Sequence, residues 1–339
     1  MTTKTDSYDL AAGGSRLFAM CMIIACHFMQ YYGSALAWWF NVGVQIFFCI
    51  SGFLYGQKEI PDGFAFVARN FKKILLDYYV YILFCLIPYG ILRPELLSVQ
   101  TLLNLLLCNV TLSGIDHLWF IPYILLCYLM TPLLNRLRLR MQKLRGAAKP
   151  ALVVSLMLLL ELLFDTFLPY FNPAWINCYA AAYFLGALKK RSGRLPGTAT
   201  ASITALALIF NAVQIGVDVF GLFVPQGIFT DYYYRFCNYA HVLLGISIFL
   251  LLHTALRGVR FARVPVLLRL SDRYAFDIYI AHQIYVQGTL NLQQLTPSPL
   301  LNGVIILVLI LFSGILLGLV CSRLRKKSFF IRRKMAAPQ

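Results

Sequence analysis

Residues 16–34 read RLFAMCMIIACHFMQYYGS, an apolar run that begins with an arginine and contains one histidine. A helix needs roughly 20 apolar residues to cross the hydrocarbon core of a bilayer. The rest of the chain has a similar character, because 60% of its 339 residues are hydrophobic and 13% are charged, with a mean hydropathy of +0.72. One soluble core could not bury so many apolar residues. We therefore expect the bilayer to be the solvent of this chain.

Nine more apolar runs of comparable length follow the first. The ten predicted spans are 16–34, 38–56, 74–92, 117–135, 150–168, 174–188, 198–219, 236–256, 272–290 and 300–321. The stretch 96–112 is also apolar, but polar residues are interspersed in it, and we interpret it as a re-entrant or interfacial helix on the outer side. The sequence thus predicts an all-α integral membrane protein of about ten transmembrane helices plus one re-entrant or interfacial helix.

The net charge of +17 indicates topology rather than nucleic-acid binding, because the lysines and arginines lie in short runs between the apolar segments. The basic loops are 57–73, 136–149, 189–194 and 257–269. The loops on the other side hold only Arg93 and Arg235, so the positive-inside rule places both termini in the cytoplasm. We divide the chain into a cytoplasmic tail 1–15, a single membrane domain 16–321 and a basic cytoplasmic tail 322–339.

The nine cysteines are scattered through apolar stretches, with no CxxC motif and no Cys/His cluster. This pattern favours packing residues over ligands. We expect neither a metal site nor a disulfide framework.

Arg16 and His27 are the first functional candidates, because ionisable groups inside a membrane are costly. They are eleven residues apart, so a helix places them on one face, about 16 Å apart along its axis. Desolvation disfavours the charged form of a deep imidazole, which leaves a neutral base for a hydroxyl nucleophile. Alternatively, Arg16 snorkels to lipid head groups and His27 hydrogen-bonds a neighbouring helix.

The basic segment FVARNFKKILLDYYVYI places Arg69, Lys72 and Lys73 within about one helical turn at the cytoplasmic interface. Such a cluster suits the phosphates of a nucleotide-like ligand. A plain topology signal explains the same residues.

Other polar residues rank second. Ser51 lies among aromatics in the second span, whose glycines permit close helix approach. His117 and Trp119 lie near the outer surface, where Trp119 also suits an interfacial aromatic belt. The ninth span carries Arg273 at its cytoplasmic edge and His282 nine residues later.

Neighbouring residues have plainer interpretations. Asp277, one turn after Arg273, favours a structural ion pair. His241 and His253 have no recognisable partner in the sequence, and we interpret them as packing or interface residues.

Five segments in order, RLFAMCMIIACH, GVQIFFCISGFLYG, RNFKK, HLWFIPYILLCYLMTPLL and SDRYAFDIYIAHQIYV, resemble the membrane-bound acyltransferase family 3. The likeness spans nearly the whole chain. The signature of that family, an arginine and a histidine separated by ten residues, falls on Arg16 and His27. Two positions depart from the family pattern. Gln45 stands where many members carry an acidic residue, and Asp77 where a proline often follows the basic loop.

The resemblance implies an O-acyltransferase in a bacterial plasma membrane. Such an enzyme takes an acyl group, commonly acetyl, from cytosolic acyl-CoA and delivers it to a hydroxyl of a glycan or other envelope molecule at the outer face. By the same analogy Arg69 and Lys72 contact the CoA phosphates, and His27 acts as general base or transient acyl carrier. Four residues are candidates for orienting the acceptor: Ser51, His117, Trp119 and His282.

Two other functions stay open. A transporter or exporter of small anionic metabolites would use the same basic mouth, although the sequence shows no inverted repeat with paired broken helices. A non-catalytic sensor or scaffold is the other alternative. Incubation with radiolabelled acetyl-CoA separates the three. The enzyme releases CoA or labels an acceptor, the transporter takes the label into vesicles without turnover, and the sensor or scaffold gives neither signal.

Overall fold

A computed structural model describes residues 9–144, 146, 148–168, 171–257, 259 and 266–335. Its α-helices are, in chain order, α1 Leu10–Tyr31, α2 Ala37–Phe40, α3 Val42–Gly56, α4 Gly63–Leu92, α5 Val99–Leu106, α6 Phe120–Met141, α7 Ala148–Phe167, α8 Pro173–Ser192, α9 Gly197–Asp218, α10 Ile228–Leu256, α11 Val266–Arg273, α12 Ala275–Ala281, α13 Gln283–Val286 and α14 Pro299–Met335. The 3₁₀ turns Pro94–Leu96 and Asp116–Trp119 precede α5 and α6. The predicted all-α fold class is confirmed for the described residues, among which no strand occurs.

Eight helical segments of the described chain are long and apolar enough to cross a bilayer. They coincide with the predicted spans other than the sixth and the ninth. The sixth, 174–188, forms α8, but Asn177 interrupts its apolar stretch and Lys189 and Lys190 lie at its end. The protein is therefore an integral membrane protein, while the predicted count of about ten spans is not confirmed.

The ninth predicted span, 272–290, is not one continuous helix. The chain leaves helical geometry at Tyr274 (φ −110°, ψ 16°) and bends again at His282. The resulting α12 and α13 have seven and four residues. At 1.5 Å per residue neither is long enough to cross a core of about 30 Å. The prediction of a continuous helix there was wrong, because apolar composition does not reveal a bend that polar contacts elsewhere in the fold stabilise.

Segment boundaries also differ from the predicted ones. Helix α1 begins at Leu10, inside the predicted tail 1–15, and α14 continues through Met335, so most of the predicted tail 322–339 is helical. Helix α5, in the stretch 96–112, has eight residues and is too short to cross. Its position relative to the membrane stays a prediction. Residues 1–8 and 336–339 of the tails, and 258 and 260–265 of the loop 257–269, lie outside the described residues.

The chain divides into two compact units. Unit 1 comprises Met1–Cys26, Ala35–Val67 and Leu126–Val264, and unit 2 comprises His27–Ser34, Ala68–Leu125 and Pro265–Gln339. Helices α1, α4 and α6 each contribute residues to both.

The core of unit 1 is built on close packing of α3 against α8. A Cβ at Gly52 would overlap the carbonyl of Tyr179, and one at Gly56 would overlap that of Tyr183. Gly186 on α8 meets the backbone of Phe53 in the same way. These contacts confirm the expectation that the glycines of the second span permit close helix approach.

In unit 2, tyrosines of α4 fix the end of α5 and the chain after it. The hydroxyls of Tyr78 and Tyr79 donate to the carbonyls of Leu105 and Leu106 at 2.6 and 2.7 Å. Farther on, Gly114 has φ +88° and lies against Gly288, where a Cβ would overlap the backbone. This close approach brings the 3₁₀ turn at Asp116 beside the segment that contains His282.

Candidate functional site

Three histidine rings meet in unit 2. His27 lies near the end of α1, His117 in the 3₁₀ turn Asp116–Trp119, and His282 at the bend between α12 and α13. The ring centroid of His282 lies 4.9 Å from that of His27 and 4.6 Å from that of His117. The ring centroids of His27 and His117 are 6.2 Å apart. We call these three residues the histidine cluster.

Hydrogen bonds select one tautomer for each ring of the cluster. A carbonyl oxygen only accepts, so Nε2 of His117 donates to Ile280 (3.0 Å) and Nδ1 of His282 donates to Tyr279 (2.5 Å). Nδ1 of His27 likewise donates to Oε1 of Gln30 at 2.7 Å. In each neutral ring the other nitrogen then carries the lone pair. The cluster therefore holds three basic nitrogens: Nε2 of His27, Nδ1 of His117 and Nε2 of His282.

Burial distinguishes these nitrogens. The side chains of His117 and His282 are 3% and 0% exposed, and their basic nitrogens have no hydrogen-bond partner among the described residues. His27 is half-buried. Within the cluster, His27 thus has the most exposed side chain.

A chain of two amides connects the segments that carry the histidines. Oε1 of Gln283 accepts from the backbone N–H of His117 at 2.8 Å, and its Nε2 donates to Oε1 of Gln287 at 3.0 Å. Nε2 of Gln287 then donates to the carbonyl of His27 at 3.2 Å. The Tyr279 hydroxyl adds a bond to the carbonyl of His117 at 2.7 Å. These bonds satisfy polar groups around the bend at His282 and fix the three rings relative to one another.

An acidic side chain also acts on the histidine cluster. Asp116 is exposed and interacts electrostatically with His27. A carboxylate beside an imidazole stabilises the imidazolium that forms when the ring accepts a proton. The arrangement can therefore accept a proton at His27, as general-base chemistry requires.

The predicted phosphate-binding residues lie on one helix. Arg69, Lys72 and Lys73 all belong to the part of α4 in unit 2, and all three side chains are exposed. Positions three and four apart share a helix face. The geometry agrees with a basic surface, while its ligand stays a prediction.

The remaining predicted residues lie elsewhere. Arg16 and Ser51 belong to unit 1, and the Ser51 side chain hydrogen-bonds the hydroxyl of Tyr128. Trp119 packs edge-on against Tyr123, with ring centroids 5.4 Å apart. The structure thus joins His27, His117 and His282, and it does not place Ser51 or Arg16 in unit 2 with them.

Asp77, one of the two departures from the family pattern, is buried and forms an ion pair with Arg325 of α14 at 2.5 Å. Its carboxylate, that of Asp277 and the thiol of Cys321 have ligand atoms within 4.8 Å of one another. Because the guanidinium of Arg325 already compensates the charge of Asp77, we interpret the group as an ion-paired cluster. The predicted pairing of Asp277 with Arg273 has no support here, since Arg273 instead lies 5.3 Å from the ring centroid of Tyr274.

Sequence reasoning missed Gln30, Tyr279, Gln283 and Gln287. Tyr279, Gln283 and Gln287 also have partners up to 260 positions away in the chain, and no local pattern encodes those contacts. A signal was available for two of them, since Gln283 and Gln287 are four residues apart in an otherwise apolar stretch. Amides at that spacing share a helix face and can bond to each other.

One of three comparisons with known proteins identifies a family. No curated protein and no solved structure matches the chain. The family model described as an acyltransferase domain matches residues 12–323, a range that includes His27, His117, His282 and the basic cluster of α4. The chain therefore belongs to acyltransferase family 3, and the protein is a membrane acyltransferase.

Proposed function

We propose that the protein transfers an acyl group, acetyl in the first instance, from cytosolic acyl-CoA to a hydroxyl of an extracytoplasmic glycan or other envelope molecule. The observation that supports this most strongly is the half-buried His27, whose Nδ1–H bond to Gln30 leaves the lone pair on Nε2. Family membership favours this enzyme over the transporter and the sensor. The membrane in question is the bacterial plasma membrane, with both chain termini in the cytoplasm.

In the first form of the mechanism, His27 is a general base. The acceptor hydroxyl attacks the thioester carbonyl, its proton passes to Nε2 of His27, and the C–S bond breaks as the ester C–O bond forms. The imidazolium returns the proton to the departing thiolate, so CoA leaves as a free thiol. Asp116 stabilises the transient imidazolium, and general-base assistance of this kind contributes about 10²–10⁴-fold.

In the second form, His27 carries the acyl group. Nε2 attacks the thioester, the C–S bond breaks, and CoA leaves as a thiolate that takes a proton from water. The acceptor hydroxyl then attacks the acyl group, the ester C–O bond forms as the N–C bond breaks, and the hydroxyl proton passes to Nε2 and from there to water. Donor and acceptor can then arrive from opposite sides without crossing the membrane. Labelled protein in the absence of acceptor is the signature of this form.

The other predicted residues receive roles by their chemistry. The exposed cations Arg69, Lys72 and Lys73 bind the phosphates of CoA. No metal takes part. His117 and His282 are fully buried, so we assign them to positioning His27, whereas Trp119 and Ser51 remain the candidates for orienting the acceptor.

The test is acyl transfer by purified full-length protein. With radiolabelled acetyl-CoA, the wild type is expected to release CoA and to label a hydroxyl acceptor prepared from envelope glycans. His27→Ala is expected to reduce both signals at least 10²-fold while keeping the same membrane insertion and thermal unfolding profile. Full activity of the folded His27→Ala variant would refute the mechanism.

A double variant and its matched control separate donor binding from the chemical step. Lys72→Ala combined with Arg69→Ala should raise KM for acetyl-CoA with little change in kcat, because these cations bind the donor and not the reacting atoms. The matched control is Lys143→Ala combined with Arg140→Ala, exposed cations in another basic loop. Equal effects of the two pairs would contradict a specific donor site on α4.

A further inference from the structure

Unit 1 contains a large apolar cavity that the proposed chemistry does not use. Its volume is about 1420 Å³, larger than the roughly 300–1,000 Å³ of ordinary small-molecule pockets. Side chains of α6, α7, α8, α9 and α10 line it, and most of them are aliphatic or aromatic. An apolar space of this size inside a membrane protein suits lipid chains.

One end of the cavity is basic. Arg138, Lys149, Lys190 and Arg191 lie there with a single acidic residue, Glu59, which pairs with Lys190 at 2.8 Å. The pair leaves three cations in excess. This end therefore attracts an anionic group.

Arg138 offers a hydrogen bond that the protein does not use. Its Nη1 donates to the carbonyl of Gly56 at 2.9 Å and its Nη2 to Oδ1 of Asn135 at 2.8 Å. Its Nε is buried and has no partner among the described residues. Since a buried donor without a partner is costly, an acceptor from a ligand or a water is expected there.

The other end of the cavity is apolar. Met157 of α7, Phe210 of α9 and Tyr239 of α10 line it. The hydroxyl of Tyr239 is engaged by Asn177 at 2.7 Å and by Glu161, which leaves its ring to face apolar neighbours. No charged side chain lies at this end among the described lining residues.

The depth of the cavity matches one leaflet. Along α8 its lining runs from Arg191 back to Ala181, ten residues or about 15 Å at 1.5 Å per residue. Half of the hydrocarbon core is also about 15 Å thick. A lipid with its phosphate at the basic end would thus place its chains at the depth that they have in the bilayer.

We propose that this cavity of unit 1 is a binding site for one diacyl phospholipid with an anionic head group. The phosphate contacts Arg138 and Lys149 at the basic end, and the acyl chains lie between α7, α8 and α10. A single acyl chain would leave much of the volume empty, which is why we commit to a diacyl lipid. The site is separate from the histidine cluster, which belongs to unit 2.

The experiment is native mass spectrometry of the full-length protein, purified in a mild detergent and supplied with dioleoyl phosphatidylglycerol or dioleoyl phosphatidylcholine. The wild type should bind one phosphatidylglycerol at least fivefold more tightly than phosphatidylcholine, and only phosphatidylglycerol should raise the thermal unfolding temperature. Ala181→Trp, which fills the cavity, should abolish both effects. Ala151→Trp, on an exposed face of α7 outside the cavity, should leave them intact.

A charge variant tests the proposal independently, so that the test does not depend on correct folding of Ala181→Trp. Lys149→Glu should weaken phosphatidylglycerol binding at least fivefold, whereas Lys143→Glu, an exposed lysine that does not line the cavity, should not. Equal binding of both lipids, unchanged binding in Lys149→Glu, or a polyprenyl phosphate or acyl-CoA bound in place of the phospholipid would overturn the proposal.

Discussion

His117 and His282 of unit 2 are buried as deeply as His241 and His253 of unit 1, yet their surroundings differ. In unit 1, His241 lies between Trp38 and Trp39, with ring centroids 4.5 and 5.8 Å away. His253 accepts a hydrogen bond at Nε2 from Lys189 at 2.9 Å and packs on Phe53. In unit 2, each histidine of the cluster instead donates one N–H to a fixed acceptor, which leaves the lone pair on its other nitrogen.

This difference shows that a buried imidazole in a membrane protein is not by itself a site. His241 packs against two tryptophan rings, and His253 packs on Phe53 and bonds Lys189, so we assign both histidines a packing role. The cluster becomes chemically useful because backbone and amide acceptors select the tautomer and because the side chain of His27 is only half-buried. The comparison predicts that substitutions in unit 2 change turnover, whereas those around the unit 1 histidines change stability.

The largest effect that tests this comparison is expected from His282→Ala. Its ring contacts both other histidines, so its loss frees His27 to adopt unproductive orientations, and kcat for acetyl transfer should fall about 10- to 100-fold, as for other positioning residues. KM for acetyl-CoA should change little. The measurement is initial rate per folded molecule, with the folded fraction taken from thermal unfolding.

His241→Ala is the matched control, because it removes an equally buried ring from unit 1. It should lower the unfolding temperature and keep kcat within about twofold of wild type. If His241→Ala reduced kcat as much as His282→Ala, the distinction between the two sets of histidines would fail.

Much of this site could be predicted from the sequence. The apolar run at residues 16–34 predicted α1, and the expected burial cost of ionisable groups selected Arg16 and His27 within it. The sequence also put His117 and His282 among the candidates. Their convergence on His27 could not be derived, because it depends on hydrogen bonds such as His117 to Ile280, across 163 positions.

The fold was predictable to a similar extent. Length and apolar composition located the long helices, since both properties are local. The bend at His282 was not predictable, because Gln283 and Gln287 stabilise it through partners in distant segments. The number of spans stays unconfirmed, because α8 has the length of a span but is not among the eight described helical segments that are both long and apolar enough to cross.

A smaller loss of turnover is expected from Gln283→Leu, which interrupts the amide chain without removing any ring of the cluster. The substitution leaves the N–H of His117 and one oxygen of Gln287 without partners, and an unsatisfied buried group costs about 1–3 kcal/mol. The positions of His117 and His27 are then less fixed, so kcat should fall about tenfold. Stopped assays at saturating acetyl-CoA measure kcat directly.

If Gln283 had only a structural role, a different result would be expected. In that case the unfolding temperature would fall while the rate per folded molecule stayed the same. Gln100→Leu, at an exposed amide of α5 that bonds only Asn104, is the control and should change neither quantity appreciably.

The smallest effect on turnover is expected where unit 1 is most tightly packed. In Gly52→Ala the added methyl group overlaps the carbonyl of Tyr179, so α3 and α8 must separate. Overpacking of this kind costs about 1–3 kcal/mol, and the unfolding temperature should fall while kcat per folded molecule stays within about twofold. Gly197→Ala is the control, because no atom lies within 4 Å of its added Cβ. Since α3 also carries Ser51, a large drop in kcat for Gly52→Ala would instead mean that this helix takes part in catalysis, and the assignment of the chemistry to unit 2 would have to be extended to α3.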